Sequence, residues 1–425
     1  MATETLRVLL LSPMAPSPPR FGAQARTHGL LTNLARRYEI TAVIVHDDDD
    51  TPQSSAAAMR SYCKEVHFIR NPHGASGWRR RALQLRSWFS RDSYQRLNSM
   101  VPGLQHRLDQ ILAERRFDVV FVNFPHLAHY GLRRSPPGTP RPVVIIDSHD
   151  VHYDLARQIA VSTASFGRRL HARLNWRKLK REEVAAYESV DGVCVCSVAD
   201  QQRLAKDAPA ARTVVIPNAA DIEGLQPRPS DPVPDANTVL FFGLLATVPN
   251  VDGLLYFVRE IWPRILAGRP AAKFLVVGAN PAPELRALEG SGVSIVGPVD
   301  DLRPYLSRAA VVVVPLRLGS GTRLKILESW AMARPVVSTS LGAEGLESTA
   351  GRHLLIADDP DQFAAAVLRV LNEPELAAQL GAAGRALVSE SYSWQGTAEF
   401  LAAFFRQAVT HRDGSTAQIR VDASG

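Results

Sequence analysis

The residues Val311-Val-Val-Val-Pro-Leu316 lead through Gly319-Ser320-Gly321-Thr322-Arg323-Leu324-Lys325 into a helical pattern that runs to Ala333. A buried strand that turns through glycines into a helix gathers backbone N–H groups and the positive end of the helix dipole at one point, which makes an anion site. Arg323 and Lys325 put two cations in the first turn, where they oppose the dipole and cost helix stability unless an anion lies between them. The pattern therefore points to a diphosphate held at Gly319, Ser320, Gly321 and Thr322, with Arg323 and Lys325 neutralising its charge. Glu328 follows Lys325 by three residues on nearly the same helix face. It could reach a ribose hydroxyl while the cations hold phosphate, or simply pair with Lys325.

Two segments in the first half have the types and places for further chemistry. Pro16-Ser-Pro-Pro-Arg-Phe-Gly22-Ala-Gln-Ala-Arg26 follows a first strand and precedes a helix. Gly22 would permit close backbone approach to a ligand and Arg26 would add charge, unless the segment is a plain structural turn. Asp147-Ser-His149-Asp150 follows the apolar run Val143–Ile146, and a histidine flanked by two acids there suits hydrogen bonding to a reacting hydroxyl. A structural histidine is the alternative.

Other motifs are bland. Asp47 to Asp50 cannot all converge on one ion and read as a solvated loop, so no metal is expected. Gly319-x-Gly321 lacks the third glycine of the dinucleotide fingerprint, which disfavours a nicotinamide enzyme. Cys194 and Cys196 alternate inside an apolar strand, and three cysteines in all suggest neither a disulfide framework nor a zinc site.

The elements that must position these loops alternate. Strands are expected at Arg7–Leu11, Ile40–Val45, Val119–Val122, Val143–Ile146, Val193–Cys196 and Val214–Ile216, with a helix over 24–37. The second half repeats the rhythm with Val239–Phe242, Lys273–Val277, Ser294–Val296, Val311–Val314 and Pro335–Thr339. Apolar strands separated by helices predict an α/β fold of two doubly wound, Rossmann-like domains facing each other across a cleft, with ligands beyond the carboxyl ends of the strands. The expected division is 1–216, a linker over 217–234 with prolines at 217, 227, 229, 232 and 234, a second domain over 235–390, a helix over 391–411 that packs back on the first domain, and a disordered tail over 412–425.

The stretch around Glu328 resembles the nucleotide-sugar site of retaining glycosyltransferases of family 4, the bacterial polysaccharide-type group 1 enzymes of GT-B fold, whose motif reads G-S-G-T-R-x-K-x-L-E. The resemblance continues through Phe241-Phe-Gly243, Pro249-Asn-Val-Asp-Gly253, Val276-Val-Gly278, Gly297-Pro-Val-Asp-Asp-Leu302, Ser338-Thr-Ser-Leu-Gly-Ala-Glu-Gly345 and Tyr392-Ser-Trp394. It implies that Glu328 binds the donor ribose, that Gly243 lies in the donor site, and that Val299 and Leu302 frame the nucleobase. The family's first acid would fall at Ser320, a departure that affects contacts to the donor sugar. Relatives carry an Arg and a Lys after the first strand of the second domain; Gly243 to Asn250 has neither, so Arg323 and Lys325 are the substitutes. His149 sits in a segment similar to D-x-H-N-V-E-Y, implying contact with the transferred sugar or the acceptor, beside Asp147 and Asp150. The implied activity is metal-independent transfer of a sugar from a nucleotide-diphosphate sugar, used as co-substrate with no cofactor, to a glycan or polyprenyl-linked acceptor in cell-surface polysaccharide synthesis. A GT-B sugar-nucleotide epimerase and a non-catalytic nucleotide-sugar-binding scaffold are the alternatives.

Charge and composition constrain the rest. The chain has 425 residues, 46% hydrophobic and 21% charged, in the range of ordinary globular proteins. No apolar run approaches the ~20 residues of a spanning helix, and Val8–Leu11 is too short for a secretory signal. A cytoplasmic protein is expected. The net charge of +7 is uneven: residues 1–216 carry 31 Lys and Arg against 20 Asp and Glu, and the remainder 18 against 22. The excess clusters at Trp78–Arg91 and Arg168–Arg181, where arginines interleave with Trp, Leu and Phe. That pattern suits peripheral contact with an anionic leaflet or an ordinary solvated helix face. It carries no nucleic-acid-binding motif, so no nucleic acid partner is expected.

Overall fold

The computed structural model describes residues 5–47, 52–73, 77–162 and 166–412. The expected tail beyond 412, and Asp48 to Asp50, lie outside the described residues. Seven strands form the first sheet: β1 (Arg7–Ser12), β2 (Glu39–His46), β3 (Glu65–Arg70), β4 (Val119–Asn123), β5 (Val143–Ser148), β6 (Gly192–Val195) and β7 (Thr213–Val215). Their order is β3-β2-β1-β4-β5-β6-β7 and every pairing is parallel. The second sheet contains β8 (Asp235–Phe242), β9 (Lys273–Val277), β10 (Val293–Gly297), β11 (Ala309–Val314), β12 (Val336–Ser338) and β13 (Leu355–Ile356), ordered β10-β9-β8-β11-β12-β13, again all parallel.

In both sheets the strand order reverses beside the first strand, at β1/β4 and at β8/β11. Loops following the strands on either side of that point open into a crevice where ligands bind in doubly wound sheets.

Alternation along β1 shows why the first sheet is covered twice. Val8 and Leu10 enter one apolar layer with Ile40, Leu30 and Leu401, whereas Leu9 and Leu11 enter the other with Leu104, Leu108 and Tyr187. The first layer is finished from a distance. The helix Trp394–Arg412 lies along the helix Gly22–Leu34 and inserts Leu401, Ala402 and Phe405, with Phe405 edge-on to Phe121 at 5.3 Å between centroids. Burying side chains of that size stabilises by about 1.5 to 3 kcal/mol each. Gly29 permits the approach, since a Cβ there would lie 2.3 Å from the Trp394 ring.

β3 and β13 lie outside the strands expected from periodicity. The first is a half-buried edge strand of mixed polarity and the second only two residues long, so neither carries the apolar signature of its neighbours. Among the described residues no helix is long and apolar enough to cross a membrane.

Candidate active site

β11 is buried along its length and delivers the chain to Gly319, whose φ is 149°, and Gly321, whose φ is 70°. Side chains rarely adopt either value, so the turn depends on glycine at both places. The helix Leu324–Ala331 begins immediately after, with Arg323 as its N-cap rather than in its first turn, and no side chain caps its free N–H groups.

The Arg323 guanidinium folds back into this turn. Nη1 donates to the carbonyls of Ser320 and Gly321, while Nη2 is buried and has no partner among the described residues. Gly319 makes room for it, because a Cβ there would come 2.4 Å from Nη2. Lys325 approaches from the first turn of the helix. Its Nζ donates to Asn250 Oδ1 at 2.9 Å and lies 3.8 Å from the centroid of the Phe241 ring. Gly243, at φ 147°, passes over this ammonium, and a Cβ at Gly243 would come within 3.2 Å of Nζ.

Burial sets the electrostatics of this pocket. It lowers the Lys325 ammonium to about 7, helped by the neighbouring Arg323 charge and opposed by Glu328. It raises the Glu328 carboxyl to about 7, against the pull of Lys325. Burial also lowers Arg323 from its ordinary value. Two cations held short of partners, beside an uncapped helix start, are an unsatisfied arrangement that an anion would complete. The Glu328 carboxylate makes no hydrogen bond or ion pair among the described residues, which leaves it available to a hydroxyl donor.

The opposite wall comes from the first domain, and the two are in contact. Ser320 Oγ accepts from the Val151 N–H at 3.2 Å. Gln158 exchanges two 2.9 Å hydrogen bonds with the Gly319 backbone, and Asn218 Nδ2 donates to Thr322 Oγ1 at 2.7 Å. A Cβ on Gly321 would lie 2.7 Å from the His149 carbonyl, and one on Gly22 would lie 2.9 Å from Leu324. Gly22 therefore faces the Leu324–Ala331 helix itself. The structure gives Ser320 the task of joining the domains.

His149 is 9% exposed, with Nε2 3.0 Å from Asp147 Oδ2 but out of line for a hydrogen bond; neither ring nitrogen has an aligned partner among the described residues. Its ring sits 4.3 Å from that of Phe124, a residue held at φ 69°. Asp150 reaches His152, 3.0 Å from Oδ1 to Nε2, and Glu183 lies 3.5 Å from the other nitrogen of that ring. Burial opposes charge on His152, yet Asp150 and Glu183 raise it well above its ordinary value. His126 is pushed down to about 3, by burial and then by the His152 charge.

Two expected cleft residues require correction. Arg26 and Asp147 are both fully buried and grip each other: Nη2 to Oδ1 at 2.7 Å, and Nε to Oδ2 at 3.0 Å. Arg26 Nη1 also donates to the Ile216 carbonyl and to Asn218 Oδ1, at 3.0 Å each. With its donors engaged, Arg26 adds no free charge to the cleft; it ties Asn218, just beyond β7, to the end of β5. Burial works against ionisation of Asp147, but Arg26 and His149 outweigh it and hold the carboxyl well below the usual range. Val299 and Leu302 follow β10 and are half-buried against the second core.

Local pattern gives no notice of Asn218 or Glu183, which act through partners distant in sequence, whereas His152 lies beside its partner Asp150 in the segment that carries His149. Asn250 lies in the first turn of the helix Val248–Tyr256, within the motif Pro249-Asn-Val-Asp-Gly253 that the sequence already singles out.

Residues 21–223 match the family model for Glycosyltransferase Family 4, and residues 236–373 match that for Glycosyl transferases group 1. Among curated proteins, a GDP-mannose-dependent monoacylated alpha-(1-6)-phosphatidylinositol monomannoside mannosyltransferase of Corynebacterium glutamicum is 30% identical over 146 residues, 31% of this chain and 38% of that protein. The chain matches little more than a third of the length of its curated relatives. Sucrose-phosphate synthase from Thermosynechococcus elongatus superposes with a TM-score of 0.71 at 20% identity, covering 96% of this chain and 100% of that one. Anabaena HepE in complex with UDP and glucose gives 0.67 at 15% identity, over 94% and 99%. At these identities the structural likeness speaks for the fold, which is the two-domain GT-B architecture. Since the two family models match in succession, one on each domain, the chain belongs to the group 1 glycosyltransferases of family 4.

Proposed function

We propose that the protein transfers a sugar from a nucleoside-diphosphate sugar to a glycan or polyprenyl-linked acceptor, in assembly of bacterial cell-surface polysaccharide at the cytoplasmic face of the membrane. The observation that carries this reading is the pair of under-partnered cations, Arg323 Nη2 and Lys325 Nζ, beside the uncapped start of the Leu324–Ala331 helix. The C–O bond to the donor phosphate breaks as the acceptor oxygen attacks the anomeric carbon, and negative charge grows on the departing diphosphate. Preorganised cations and helix N–H groups stabilise that charge without a metal. Glu328 accepts from the donor ribose. Retention follows if the acceptor proton passes to the departing phosphate on the same face of the sugar.

His149 lines the opposite wall, where an aligned partner for its ring would be an acceptor or sugar hydroxyl. The contacts of Ser320, Gln158 and Asn218 between the domains exclude water from the reacting centre, which limits hydrolysis of the donor. The mannosyltransferase relative is GDP-mannose-dependent and HepE was crystallised with UDP, so both bases are candidates for the donor.

A thermal-shift screen against UDP, GDP, ADP, dTDP and their sugars tests the reading. Stabilisation by one nucleotide family is expected, with affinity falling by about 10- to 100-fold in Glu328→Ala and Lys325→Ala. No shift from any nucleotide, or equal shifts in both variants, would overturn the site.

A further inference from the structure

One face of the helix Gly77–Phe89 turns apolar residues outward. Trp78, Ala82, Leu85 and Phe89 recur at i, i+4, i+7 and i+11, one stripe of a helix, and Trp78, Leu85 and Phe89 are 70%, 52% and 90% exposed. Only Leu83 and Ser87 of this helix are buried. Arg81 and Arg86 border the stripe in solvent, and Arg79 lies 5.5 Å from the Trp78 ring.

A second element continues the surface. Trp88 Nε1 donates to His171 Nδ1 at 2.9 Å, and Lys178 Nζ donates to the carbonyls of Ser87 and Ser90 at 2.6 Å, which clamps the helix to the long helix Phe166–Ser189. That helix in turn exposes Phe166 and Leu174, with Arg173 and Arg177 exposed beside them. No acid interrupts the sequence from Val66 to Arg91 or from Leu155 to Arg181, while those stretches carry six and eight basic residues.

Large apolar side chains held in water and flanked by cations with no local anions match one kind of partner. Rings and leucine enter the acyl boundary of a bilayer while guanidinium groups stay among anionic headgroups. We propose that the Gly77–Phe89 helix and the first turns of the Phe166–Ser189 helix form a docking surface for an anionic lipid leaflet. This deepens the reading of a lipid-linked acceptor, but binding to vesicles needs neither donor nor acceptor. Its failure would leave the transferase reading standing.

The full chain should sediment with phosphatidylcholine vesicles containing phosphatidylglycerol and remain in solution with phosphatidylcholine alone. The triple variant Trp78→Ala, Leu85→Ala, Phe89→Ala should lower partitioning on the order of tenfold or more, with the nucleotide-induced thermal shift unchanged as proof of folding. A wild-type protein that ignores the anionic vesicles, or a triple variant that partitions as well as wild type, would overturn the proposal. So would self-association in place of vesicle binding that the triple variant abolishes, which would give the face to a second copy of the chain.

Discussion

Arg26 and Asp147, 121 residues apart in sequence, meet in a bidentate ion pair with both side chains 1% exposed. The pair sits beneath the His149 loop, and the same guanidinium holds the backbone where the chain leaves the first domain. Removing one partner would leave the other charged and buried.

Arg26→Ala should therefore destabilise the protein by about 3 to 5 kcal/mol, read as a lower denaturation midpoint. Arg26→Lys should recover little, because one ammonium cannot serve Asp147, Ile216 and Asn218 together. A variant of normal stability that lost only acceptor affinity would return Arg26 to the cleft.

Lys325 and Glu328 should make nucleotide binding pH-linked with opposite signs. Free Lys325, lowered to about 7, is largely neutral in alkaline solution, and a bound diphosphate raises its pKa, so binding at about pH 8 takes up a proton. Free Glu328, raised to about 7, is largely protonated in mild acid, and a ribose hydroxyl donating to it favours the ionised form, so binding at about pH 6 releases one. Calorimetry in buffers of different ionisation enthalpy should show both. Lys325→Ala should lose the uptake, and unchanged uptake would refute the assignment.

Gly321→Ala should strike at the junction of the domains. Its φ of 70° disfavours a side chain, and the new methyl would press on the His149 carbonyl. Displacing that loop by a fraction of an ångström to 1 Å should reduce transfer by up to about 100-fold, with a smaller effect on nucleotide affinity. Wild-type turnover would show that the contact has no bearing on the reaction.

Two neighbouring histidines should titrate far apart. His152, between Asp150 and Glu183, should titrate well above the common reference near 6.5, and His126, pushed down to about 3, well below it. Nitrogen chemical shifts of the rings would read both, and coincident titration would remove the charge pattern described behind His149.

What is readable in the sequence is what is local. The strand, the glycine turn and the cations at 323 and 325 lie within fifteen residues, so their chemistry follows from spacing alone. Arg26 misleads because its nearest neighbours in sequence suggest a ligand loop, while its partners Asp147 and Ile216 arrive from β5 and from just beyond β7. Ser320 shows the same limit. A missing acid is visible in a motif, but its hydroxyl bond to Val151, which comes from the other domain, is a product of tertiary packing. β3 stays hidden because an edge strand needs no continuous apolar run.

The Trp394–Arg412 helix has a consequence for synthesis. Chains emerge from the ribosome amino end first, and domains generally fold in that order. Here the first domain lacks Leu401 and Phe405 until the second has been translated. The nascent chain must carry an open apolar groove along the Gly22–Leu34 helix throughout that interval, which makes the first domain dependent on a segment made after the second and offers chaperones a defined stretch to shield.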